Sequence, residues 1–167
     1  MTNLTIATIA LLLGTLVLLF VINKGVDVLL SRRITDEDSL ISVSLVKGGF
    51  FISAALVLSQ VFESVQTITI VLSSRFGTET ITWEQLHYFA IFTGIALAFT
   101  IACAALSLAF YQTASKGKSL ITEVANDNTN AAVLFAVLVL AMTLATLPAV
   151  HAIFDSMIPY PTIPSIR

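Results

Sequence analysis

Four long apolar runs separated by short polar stretches organise this chain: residues 4–22, 40–62, 86–111 and 131–154. Each is close to or above the roughly 20 residues needed to cross about 30 Å of hydrocarbon. In lipid every backbone N–H and C=O must be paired within the structure, so runs of this kind predict helices rather than open strands. The pattern therefore predicts an all-α polytopic membrane protein with four transmembrane helices. Its expected parts are a first hairpin over residues 1–62, an external interfacial loop over 63–85, a second hairpin over 86–157 and a proline-rich tail over 158–167. The first run has no Lys or Arg before it and no clear small-x-small cleavage site, so it is expected to be retained and not removed as a signal peptide.

The connections set the expected orientation. Residues 23–39 contain Lys24, Arg32 and Arg33, and residues 112–130 contain Lys116 and Lys118. The connection 63–85 contains Arg75 as its one basic residue, among Glu63, Glu79 and Glu84. The positive-inside rule places the first and third connections in the cytoplasm and both termini outside. In the second connection, residues 64–76 are rich in Val, Ile and Thr and read as a segment lying along the membrane surface, with Trp83 and Tyr88 in the aromatic belt. Pro159, Pro161 and Pro164 predict an extended, irregular tail.

Composition sharpens the class. Of 167 residues, 57% are hydrophobic and 11% charged, against about 25% charged in soluble domains. A net charge of −2 gives no case for nucleic acid, and a lone cysteine, Cys103, excludes an intrachain disulfide. The expected partners are the lipid bilayer and either further copies of the chain or another membrane protein.

The two halves resemble each other. Asp36-Glu37-Asp38-Ser39 aligns with Asn126-Asp127-Asn128-Thr129, each following a basic connection and leading into a long apolar helix. Asp38 or Ser39 in one half, and Asn128 or Thr129 in the other, are good N-cap residues. Two crossings per half predict tandem hairpins related by an axis along the membrane normal. The stretch Asn126-Asp127-Asn128-Thr129-Asn130-Ala131-Ala132 resembles the helix starts of the bacterial domain-of-unknown-function family number 350, the YjfL-type inner-membrane proteins. That resemblance implies two repeated helix pairs, a bacterial cytoplasmic membrane and a role near envelope stress, with no established activity. The first half departs from the pattern with Asp38-Ser39-Leu40-Ile41-Ser42 ahead of Gly48-Gly49, and the second half lacks the following glycine.

Three groups of residues are candidates for function. Lys47 lies roughly 12 Å inside the second helix at 1.5 Å per residue, where a charge costs about 2.5–3.5 kcal/mol to insert. It either snorkels to the headgroups or faces an anionic solute or carboxylate partner. Ser42, Gly49, Ser53 and Gln60 form a seam on another face of that helix, and if the seam packs inside the monomer, Lys47 faces a neighbouring subunit. At the external end, Glu63, Glu84, His87, His151 and Asp155 supply carboxylate and imidazole groups of the kind that ligate a metal or a haem iron in bundles. Polar residues also collect wherever helices leave a membrane, and no double Glu-x-x-His set is present. Ala90, Gly94, Ala98 and Ala102, with Ala141, Ala145 and Ala149, form ladders at intervals of four that permit close helix approach in lipid. Pro148 is a candidate kink.

No nucleophile set, phosphate loop or dinucleotide motif stands in the sequence. The expectation is a non-enzymatic membrane component without a cofactor, assembling with itself or a partner. A small channel or transporter using Lys47, and a metal- or haem-binding redox subunit, are the alternatives.

Overall fold

The computed structural model describes residues 13–17, 19–21, 23–25, 27–28, 41–73 and 81–160. Its elements are an apolar helix α1 over Leu13–Gly25, followed by α2 (Ile41–Ser73), α3 (Ile81–Ala114), the short α4 (Leu120–Ala125) and α5 (Thr129–Ser156). The described residues are all-α, and α2, α3 and α5 are each long and apolar enough to cross a membrane. At 33, 34 and 28 residues they run about 50, 51 and 42 Å at 1.5 Å per residue, beyond the roughly 30 Å of a hydrocarbon core.

The second connection differs from its expected form. Residues 64–73, expected to lie along the interface, continue α2, and α3 begins at Ile81. The Val, Ile and Thr that suggested an interfacial segment include packing residues: Val65, Ile68, Val71 and Leu72 are buried in one cluster with Phe92, Phe154 and Ile158. Burial of that face outweighs the modest helix cost of β-branched side chains. The third connection also carries structure, because Leu120 and Val124, four apart, bury one face of α4 in the core.

The bundle is built on α2 and α5, which share the largest interface; α3 packs on both. Ser42 at the start of α2 is hydrogen bonded to Val124 and Asp127 just before α5, so α2 and α5 start at the same end and run parallel. Contact between Cys103 and Thr146, and between Gln85 and Thr69, places α3 antiparallel to both. One end of the bundle carries Lys116 and Lys118, and the other carries Glu84, His87, His151 and Asp155.

Two apolar clusters fill the interior. The one at the basic end joins Val43, Val46, Tyr111, Val124, Ala132, Phe135 and Val139. The other joins Val57, Val61, Ile68, Phe92, Ala96, Val150 and Phe154, with the Phe92 and Phe154 rings 4.8 Å apart. Between them lies a waist of small and hydroxylated residues: Gly49, Ser53, Ala54, Cys103, Ser107 and Thr143 are all buried. In lipid such residues let helix backbones close together, since apolar burial alone gives little drive for helices to associate. A Cβ on Gly49 would stand 2.8 Å from the Cβ and 2.9 Å from the Cα of Ala136, so α2 and α5 approach closely at Gly49. The Ser42, Gly49, Ser53 seam does pack inside the monomer, with Gln60 half-buried at its far end.

Candidate functional site

The most developed polar constellation sits at the basic end, where α3, α4 and α5 meet the start of α2. It is assembled by two helix terminations of the same kind. After α3, the Gly117 amide donates to the Gln112 carbonyl and the Lys116 amide to that of Thr113, with Lys116 left-handed at φ 55°. After α4, the Asn128 amide donates to Glu123 and the Asp127 amide to Val124, with Asp127 left-handed at φ 51°. These are Schellman terminations, which usually place glycine at the left-handed position; aspartate tolerates it better than most residues.

The second termination turns the Asp127 carboxylate toward α2. Its Oδ1 accepts the Ser42 amide at 3.0 Å, and the Ser42 hydroxyl donates to the Val124 carbonyl at 2.9 Å. One of the first-turn amides of α2, which no intrahelical carbonyl reaches, is thus satisfied from 85 residues away. The negative charge also suits the helix start. Asp38 and Ser39, the expected caps of α2, lie outside the described residues. Asn128 behaves as expected: its Oδ1 accepts the Ala131 amide and caps α5, whose first residue is Thr129. Its side-chain amide donates to Glu123, whose carboxylate also meets Lys118 at 3.4 Å. The Asn128 hydrogen bond holds the Glu123 carboxyl below the usual carboxylate range; desolvation opposes it, and the Lys118 charge adds to the lowering.

Lys47 has a carboxylate partner within the chain. Its Nζ lies 2.6 Å from Oδ1 of Asp27, beside α1, and both side chains are about three-quarters buried (24% and 25% exposed). Oδ1 has no hydrogen bond of good geometry, so the contact is one of charges more than of aligned donor and acceptor. Pairing lowers the cost of holding either charge at this depth. Of the expected roles for Lys47, the contact is that of a carboxylate partner, here from the same chain.

The residues considered for a metal or haem stay apart. Glu63, Glu84, His87, His151 and Asp155 are all exposed, and among the described residues no three ligating side chains converge. His87 lies edge-on to its neighbour Tyr88, and Asp155 accepts the Tyr160 hydroxyl. Pro148 is accommodated within α5, which continues to Ser156.

The small-residue ladders face outward. Ala90, Gly94, Ala98 and Ala102 are exposed on the side of α3 opposite Phe92, Ala96 and Cys103, and Ala141, Ala145 and Ala149 are exposed on α5. A Cβ at Gly94 would meet nothing within 4 Å, and the same holds at Gly48. At the acidic end the α3 ladder runs into a notch of about 580 Å³ lined by Trp83, Glu84, Leu86, His87 and Ala90. Of the candidate packing glycines Gly48, Gly49 and Gly94, it is Gly49 that meets a neighbouring helix within the chain.

Two important residues escaped sequence reasoning. Asp127 was part of the helix-start motif, but its bond to Ser42 depends on two helices being brought side by side. Asp27 stood among the acidic residues of the first connection, and its spacing from Lys47 gives no signal of pairing. Comparisons with family models, with curated proteins and with solved structures found no match for this chain.

Proposed function

We propose that this protein is a non-enzymatic, four-span integral membrane component of the bacterial cytoplasmic membrane that assembles with copies of itself through the outward face of α3. The observation that supports it is the continuity of the exposed Ala90, Gly94, Ala98, Ala102 ladder with the concave notch at Trp83, Glu84 and His87. A flush apolar surface suffices for lipid. A small-residue track leading into a polar-rimmed hollow suits close approach by another helix, with side chains of that helix seated in the hollow. On this reading α1 completes the first hairpin, the α1–α2 and α3–α5 pairs are tandem repeats, and the basic end is cytoplasmic with both termini outside. The likeness of residues 126–132 to the YjfL-type family belongs to the same reading, including a role near envelope stress.

The test is the mass of the intact complex released in mild detergent. A defined oligomer is expected, and Gly94→Ile should convert it to monomer while helical content is kept. A wild-type protein that is monomeric and free of partners would overturn the proposal. A second reading, passage of an ion or small solute, is favoured by the Lys47–Asp27 pair at the α1–α2 contact. It requires flux in liposomes that changes in Lys47→Ala.

A further inference from the structure

At the basic end a second notch, of about 310 Å³, opens between the end of α3 and the start of α5. Its chemistry is graded. Ala114, Ala131 and Leu134 supply its apolar lining, and Lys116, Lys118 and Asn130 its polar lining, together with the Glu123 carboxylate, which Asn128 and Lys118 engage. Leu134 and nearby Phe110 are 42% and 52% exposed, so the apolar wall continues onto surface that faces acyl chains. The charge is unbalanced. Lys118 is matched by Glu123, whereas Lys116 has no carboxylate within ion-pair distance among the described residues. The left-handed turn at Lys116 and Gly117 fixes where that cation leaves the chain. The volume lies at the lower end of the roughly 300–1,000 Å³ typical of small-ligand sites.

We propose that this notch holds the phosphate of an anionic phospholipid from the leaflet at the basic end. One acyl chain lies along Leu134 and Phe110, and the phosphate is held by Lys116 with help from Lys118 and Asn130. Basic recesses at helix ends on the cytoplasmic side are a recurrent way of holding such headgroups. A soluble anion would need the cations but would gain nothing from the apolar wall, so the graded lining favours a lipid. The inference rests on α3 and α5 crossing the membrane, and does not depend on self-assembly.

The full chain, reconstituted in equal phosphatidylcholine and phosphatidylglycerol and released in mild detergent, can be read by native mass spectrometry. The wild type should retain phosphatidylglycerol in preference, and Lys116→Gln/Lys118→Gln should lower that preference about fivefold or more. Lys116→Arg should keep it. Lys24→Gln, a cation elsewhere on α1, should leave it unchanged, and inorganic phosphate should not displace the lipid. Circular dichroism of each variant shows that the helices are intact. No preference in the wild type, an equal loss in Lys24→Gln, or displacement by phosphate alone would overturn the site. Extraction of the protein from membranes by alkaline carbonate would instead overturn the spanning helices on which it rests.

Discussion

Gly48 and Gly49 are adjacent in sequence and opposite in consequence. Gly49 is buried where α2 meets the backbone of Ala136, and a methyl group there has to push two helices apart; Gly48 opens on empty space. Gly49→Ala should therefore destabilise the bundle by about 1–3 kcal/mol, the range for overpacking a close contact. Gly48→Ala should be neutral or slightly stabilising, since alanine is the better helix former. Unfolding in mixed micelles by a denaturing detergent, followed by circular dichroism, separates the two. The hydroxyls of the waist carry a related lesson. Thr100, Ser107 and Thr143 each donate to the carbonyl four residues back, so their polarity is absorbed by their own helices. Ser53 Oγ is buried without a hydrogen-bond partner in the described structure.

Among elements, a single carboxylate ties the start of α2 to the turn before α5. Asp127→Ala should leave the Ser42 amide unpaired and place alanine in a left-handed conformation, costing about 1–3 kcal/mol in all. Asp127→Asn keeps an acceptor and tolerates the backbone, so it should cost a small fraction of that. Hydrogen exchange at the Ser42 amide reads the effect directly: it should rise sharply in the first variant and little in the second. The apolar runs revealed α2, α3 and α5 because length and hydrophobicity alone decide whether a segment suits a bilayer. The cap at Asn128 was legible because capping is local. The extent of α2 was not legible, since Val65, Ile68 and Val71 read as interfacial until α3 and α5 supply a surface to bury them. The link from Ser42 to Asp127 was hidden for the same reason: it exists only after the helices are laid side by side. The ladders were visible as ladders, but sequence periodicity gives a face without saying whether it points inward.

For the molecule as a whole, the Lys47–Asp27 pair is a charged tie between the α1 end and α2. Removing either partner strands the other in a largely apolar setting. Lys47→Ala and Asp27→Ala should each cost about 2 kcal/mol, less than a fully buried pair because both groups keep some exposure to solvent or headgroups. The double variant should cost clearly less than the sum of the two, and a double-mutant cycle from detergent unfolding measures that difference. Additive losses would mean that the two charges are stabilised separately. Between α2, α3 and α5 most of the interior is apolar or hydroxylated, so this charged contact stands out at the α1–α2 junction.

The bond between Ser42 and Asp127 also has a bearing on synthesis. The ribosome delivers the start of α2 long before it reaches the residue that satisfies it, 85 positions later. The start of α2 is therefore made with an amide whose carboxylate partner is not yet translated. The order of translation thus sets the pairing of that amide after α3 has been made, and ties the first of the long helices to the turn ahead of the last.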